Sequence, residues 1–171
     1  MRHLYRIGPE QFLENYSGLG ASYRDGGRWN SSGHPVLYFA LSPATALLEM
    51  ANYLPSPRLV PPAYRLGVYE LADTSSIARL PESEWPADWA QYPYPLSTQL
   101  IGDRWLMAGH ELGLILPSAA VPGGMESIML VNPQHSASQS IRLIRQISDL
   151  YNARAFSGIG SGKRSAGALG G

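Results

Sequence analysis

Apolar residues recur along the chain with two spacings, and these divide it into elements. Residues 35–41 are apolar on both alternating faces, which predicts a strand covered from both sides. Ser42-Pro43 then supplies an N-cap hydroxyl and a proline at the first helical position. Ala44, Leu47, Leu48, Ala51 and Leu54 return at helical spacing, so a helix is expected with these residues as its core stripe. Pro55-Ser56-Pro57 stops it. Shorter runs predict strands at 3–7, 64–71, 75–80, 112–116, 127–131 and 139–148, with a last one at 151–156. Residues 10–16 read as a single short helix, and a second main helix runs from a Ser97 cap to about residue 108. In it Leu100, Ile101, Trp105 and Met107 are available for packing.

Between these elements lie two irregular stretches. Residues 17–30 are rich in Gly, Ser and Tyr and read as a loop of the length that more often carries function than not. Residues 82–95 hold two Trp, two Tyr and three Pro, an aromatic-packed connection. Residues 158–171 are mostly Gly, Ser and Ala and read as a tail unable to bury itself. One domain over 1–157 with about seven strands and two or three helices argues an α+β fold.

Composition narrows the chemistry. A chain of 171 residues can bury about 70% of its unfolded surface without staples, and it has no cysteine, which removes disulfides, thiolate nucleophiles and Cys-type metal sites. Lys+Arg and Asp+Glu are 13 each, so a basic nucleic-acid-binding surface is not expected. Of the 13 basic residues, 12 are Arg and only Lys163 is not, a bias that fits phosphorylated substrates or a GC-rich genome. The most apolar stretch, 112–121, is too short to span a bilayer and contains Pro117. A soluble, cytoplasmic protein is expected.

Four residues stand out. Arg28 follows Gly26-Gly27, where the backbone can approach a ligand and a guanidinium can clamp a diphosphate or form a surface ion pair. Tyr38, mid-strand, is a core tyrosine or a flat wall for an aromatic ring. Glu49 falls opposite the Leu47/Leu48 stripe with Thr45 and Asn52, on a face that is either solvated or lines a cleft. Ser127 opens a strand after Gly123-Gly124 and is a turn serine or a residue delivered to a strand end. His3, His34, His110 and His135 have no metal-ligand spacing, although His34 and His135 could rim a cleft. The GSGK near the end is no phosphate loop, since Arg164 stands where Ser or Thr is needed and Ser157 where the first Gly is needed. No G-x-G-x-x-G follows a strand.

Order and spacing carry more than the single residues. Tyr5-Arg6-Ile7, Ser17-Gly18-x-Gly20-Ala21, Gly26-Gly27-Arg28-Trp29-Asn30 and Gly33-x-Pro35-Val36-x-Tyr38 come first. Ser42-Pro43-x-x-Ala46-x-Leu48-Glu49, Pro117-Ser118-Ala119, Glu126-Ser127 and Leu130-Val131-Asn132-Pro133-x-His135 follow. With these motifs the sequence resembles the RES domain family, the toxin half of RES–Xre toxin–antitoxin pairs, over about residues 3–156. The resemblance implies an ADP-ribosyltransferase-like fold with a split mixed or antiparallel sheet and flanking helices. It implies NAD+ as substrate, cleaved at the nicotinamide–ribose bond by hydrolysis or phosphorolysis. The alternatives are mono-ADP-ribosylation of a protein target, or a non-catalytic subunit docking a partner through exposed aromatics near Trp85 and Trp89. Arg28, Glu49 and Ser127 match the residues that name the family, and Tyr38 joins them as catalytic. NAD+ contacts are expected from Arg28, Tyr38, Trp29, Asn30 and Ser127, and no metal is expected. An Xre-type helix-turn-helix antitoxin covering the site is the expected partner, with no direct nucleic-acid binding and no membrane. Ile128 departs from the family's usual Asn after the Glu-Ser pair.

Overall fold

The computed structural model describes residues 1–152, 154 and 155; the expected tail, and residues 153 and 156 of the last expected strand, lie outside them. The period-two stretches close into one sheet: β1 (Arg2–Pro9), β2 (Leu37–Ala40), β3 (Tyr64–Leu71), β4 (Ile77–Arg79), β5 (Gly113–Pro117), β6 (Ser127–Val131) and β7 (Ile141–Ile147). Their order is β4-β5-β6-β2-β1-β3-β7, and every pair is antiparallel except β4 with β5. The sheet is thus mixed, with few helices: α1 (Ala21–Asp25), α2 (Pro43–Ala51) and α3 (Leu96–Ala108).

Central β2 shows why its stretch is apolar throughout. Leu37 and Phe39 enter one core with Leu4, Tyr69, Ile115, Met129 and Val131. By strand alternation, Tyr38 and Ala40 look the other way. Tyr38 packs against Trp29, Leu106, Leu114, Ile128 and Leu130, and Ala40 against Ala46 and Leu66. The helices cover this second face, α3 toward the β4–β6 half and α2 over β1 and β2.

Several expectations are corrected. Residues 10–16 form no helix beyond a 3-10 turn at Glu10–Phe12, and the 17–30 loop contains α1. Strand expectations at 75–80 and 139–148 shrink to β4 and β7, the second because Ser136–Ser140 winds into a 3-10 turn. Around Tyr151 the chain bends, and Ala155 N–H donates to Asn152 O at 3.0 Å in a turn. Ser42 caps α2 as expected, its Oγ accepting from Thr45 N–H at 3.1 Å. The side that α2 buries is another matter. Thr45 and Ala46 are buried, whereas Ala44 and Leu48 are exposed. Ala46 is small enough to bring the helix close to Ala40 and Leu66, and that contact, not the leucines, sets the rotation.

α3 starts one residue before the expected serine. Pro95 is its N-cap, and Ser97 instead donates to Asp88 Oδ1 at 2.6 Å. Ile101 and Trp105 pack on the core, but Leu100 and Met107 are exposed. Gly109, at φ 65°, closes the helix in the left-handed conformation that glycine favours. Gly102 matters most. A Cβ there would stand 1.6 Å from the carbonyl oxygen of Trp29, so the helix can press on that backbone only because the residue is glycine.

Gly102→Ala is therefore expected to destabilise the fold by about 2 kcal/mol or more, as overpacking does. That is a loss of about 5 °C or more in Tm for a domain of this size. Thermal unfolding by circular dichroism checks it, and an unchanged Tm would contradict the close approach.

Candidate active site

The turn at Gly27–Asn30 is wound tightly. Gly26 sits at φ 80°, and Gly27 N–H donates to Asn30 O at 2.9 Å. Tyr38 reaches up from β2 to hold this turn. Its hydroxyl donates to Asn30 Oδ1 at 2.7 Å and accepts from Trp29 N–H at 3.1 Å. A Cβ on residue 27 would stand 2.8 Å from that hydroxyl, which explains the second glycine. Burial pushes the Tyr38 pKa well above the ordinary tyrosine range, so the hydroxyl stays protonated and keeps donating.

Trp29 and Asn30, expected to touch the ligand, belong to the foundation instead. Trp29 is 0% exposed in the core. Asn30 is equally buried, and its Nδ2 donates to Ser22 O at 2.8 Å and Ser31 O at 3.0 Å. The start of α3 holds the same turn from above. Thr98 Oγ1 donates to Arg28 O at 2.6 Å, and Gln99 Nε2 to Gly27 O at 3.0 Å. Buried Asp103 accepts from Ser31 N–H at 2.8 Å and Oγ at 2.5 Å, with His34 Nε2 at 3.7 Å.

With its backbone fixed at both ends, the half-buried Arg28 side chain has one direction to take. Its Nη1 donates to Trp89 O at 2.8 Å and Gln91 O at 2.6 Å, and its guanidinium lies 5.1 Å from the Tyr94 ring centre. Nε and Nη2 have no hydrogen-bond partner among the described residues. That edge is a two-donor fork suited to one phosphate or carboxylate.

Glu49 comes to the same region from α2. Tyr53, just beyond the end of α2, links the two. Its hydroxyl shares a hydrogen bond of 3.0 Å with Tyr94, whose ring carries Arg28. The Tyr53 pKa is raised above its ordinary value, first by desolvation and then by the Tyr94 hydrogen bond. Glu49 adds to the rise and Arg28 opposes it, so both charges act on one phenol. Arg28, Tyr38 and Glu49 are thus brought to one side of the sheet.

Ser127 does not join them. It alternates with Met129 on β6 and so faces the opposite core. Its hydroxyl accepts from Arg79 Nη1 at 3.4 Å. The serine that meets Glu49 is Ser118, wholly buried at the end of β5, donating to Glu49 Oε1 at 2.6 Å. Its sequence signal is Pro117-Ser118-Ala119, a serine directly after an all-buried strand. Beside it, Ser118 N–H donates to Glu126 O at 2.9 Å, and Thr45 Oγ1 donates to Glu126 Oε2 at 3.2 Å. Thr45, expected on a cleft face with Glu49, is 0% exposed beneath that hairpin end.

The remaining candidates lie elsewhere. His135 Nδ1 accepts from Ala137 N–H at 3.2 Å as a cap. Trp85 and Trp89 are half-buried against each other, ring centres 5.2 Å apart, and the exposed aromatic of their connection is Tyr92. A hollow of about 390 Å³ lined by Leu80, Glu84, Ile101 and Arg104 shares no residue with the Arg28–Glu49 region. Among the described residues, no three His, Asp or Glu stand together to hold a metal ion, and no helix is long and apolar enough to cross a membrane.

Comparison with known proteins places the chain. The sequence model of the RES domain matches residues 3–153. A protein named Toxin Res from Yersinia enterocolitica is 36% identical over 88% of this chain and 97% of its own length. A Toxin Res from Pseudomonas putida is 36% identical over 85% of this chain and 93% of its own. The "Prs ADP-ribosylating toxin" of a Sphingobium species is 30% identical over 82% of this chain and 86% of its own. In three dimensions, the fold matches a chain of the M. tuberculosis MbcT–MbcA toxin–antitoxin complex at TM-score 0.68, with 21% identity over 86% of this chain and 83% of that one. The α+β architecture is the ADP-ribosyltransferase-like one. With its motifs, fold and relatives in agreement over nearly the whole described length, the chain belongs to the RES domain family.

Proposed function

We propose that this protein is the toxin of a bacterial toxin–antitoxin pair and that it consumes NAD+ by breaking the nicotinamide–ribose bond. The observation that supports the reading is that the open Arg28 fork and a Glu49 carboxylate held by a buried hydroxyl flank one pair of phenols, Tyr94 beneath the guanidinium and Tyr53 just past the helix that carries Glu49. A dinucleotide offers a diphosphate to the fork and a ribose to the carboxylate.

Cleavage passes through an oxocarbenium-like ribose, as glycoside cleavage does. The Nε–Nη2 edge of Arg28 binds the diphosphate, already oriented by its two carbonyl contacts and the Tyr94 ring. Glu49 stands at the ribose, where its negative charge stabilises the cation as the neutral nicotinamide departs. Ser118 fixes the Glu49 oxygen that it bonds and leaves the other free for a ribose hydroxyl. Tyr38 acts mainly through the turn it holds. Ser127, on the other face, has no part in this scheme.

Relatives named as toxins, and a structural neighbour solved in a toxin–antitoxin complex, support a protein partner, which we take to cover the cleft. We take that partner to be an Xre-type helix-turn-helix protein acting in the cytoplasm. A second reading, transfer of ADP-ribose to a protein side chain, is favoured by the relative named as ADP-ribosylating. We take residues 1–157 as the catalytic domain and 158–171 as an appended tail.

Incubation with NAD+, with and without phosphate, and identification of the products by mass tests the main reading. Free nicotinamide with ADP-ribose or its phosphate ester is the expected result. A labelled protein band instead would favour the second reading, and NAD+ left intact with every acceptor would overturn both. Glu49→Gln is expected to lower turnover at least about 10³-fold with little change in KM, since its charge acts on the cation only in the transition state. Ser118→Ala should lower kcat about 10- to 100-fold, the value of a hydrogen bond to a charged group. A full-rate Ser118→Ala would return Glu49 to an unaided role.

A further inference from the structure

The end of the β5–β6 hairpin brings a second carboxylate to the site. Thr45 and Glu49 are one turn apart on the same side of α2, which sets their Cβ atoms about 5–6 Å from each other. Glu126 Oε2 is 3.2 Å from Thr45 Oγ1, and Ser118, which holds Glu49, is bonded to the Glu126 backbone. Glu126 therefore stands about one helical turn from Glu49. Their settings differ. Glu49 is half-buried with an oxygen engaged by Ser118, whereas Glu126 is exposed and reaches solvent.

We propose that Glu126 is a further catalytic residue, the general base that takes the proton from the acceptor. This inference rests on the NAD+-cleaving reading above. Two carboxylates about a turn apart divide the work as they do in glycoside hydrolysis, one facing the cation and the other the incoming oxygen. In the step itself, the acceptor oxygen bonds to ribose C1. The bond from C1 to the pyridine nitrogen breaks, and its electron pair leaves with nicotinamide. The acceptor proton passes to a Glu126 oxygen and from there to bulk water. Exposure suits this duty, because the acceptor arrives from solvent and the proton must return to it. The Thr45 hydroxyl positions the base by donating to one of its oxygens, leaving the other for the acceptor.

Glu126→Gln keeps the oxygen that accepts from Thr45 and removes the basicity. The test compares wild type and variant with NAD+ in water and with added azide, an anion with no proton to lose. Hydrolysis by the variant should fall about 100-fold, the usual share of a general base. KM for NAD+ should hold within about twofold, and ADP-ribosyl azide should form at least as fast as with wild type. A variant that hydrolyses NAD+ at full rate overturns the proposal. So does one in which hydrolysis and azide transfer fall together, since that is the mark of a disturbed fold. Wild type that cleaves no NAD+ at all would instead remove the parent reading, and this one with it.

Discussion

The geometry of the site depends on one buried hydrogen-bond knot, the Tyr38 hydroxyl bound to Asn30 Oδ1 and the Trp29 amide. Leaving any buried donor or acceptor of this knot unpaired costs about 1–3 kcal/mol. The turn above the sheet is therefore held in this arrangement, even though the buried Trp29 Nε1 has no hydrogen-bond partner among the described residues. That arrangement buries Trp29 as an anchor and turns Arg28 outward as the next residue. The reach of the arginine is a by-product of how its neighbour is buried.

Two helices then enclose what the knot fixes. α3 can lie on the turn because Gly102 has no side chain, and its first turn bonds the carbonyls of Gly27 and Arg28. α2 brings its carboxylate from the other half of the sheet, at a rotation set by the small contact of Ala46 with Ala40 and Leu66. Between them the phenols of Tyr53 and Tyr94 meet. Packed elements thus position each charged group, Glu49 directly from α2 and Arg28 from a turn clamped between Tyr38 and the start of α3.

What was legible in the sequence was what short-range physics decides. Short apolar runs marked every strand of the sheet, and the Ser42-Pro43 pair marked the start of α2, because both are local signals. The buried side of α2 was not legible. Its leucines are the most apolar residues, but tertiary packing chose an alanine and a threonine. Trp29 and Asn30 looked like ligand contacts because nothing local says that a helix will press on them. Ser118 and Ser127 are equal as letters, each at a strand end. Their separation onto two faces depends on strand register, which is a long-range property.

The arginine bias of the composition has a different meaning at position 28 from that at other positions. There one nitrogen is engaged by two backbone carbonyls while the opposite edge stays open. A planar, delocalised cation can divide itself in this way, and an ammonium, with its charge on a single atom, cannot. Mutational drift in base composition can therefore exchange many of the chain's arginines for lysine at small cost. At this site such drift would meet purifying selection.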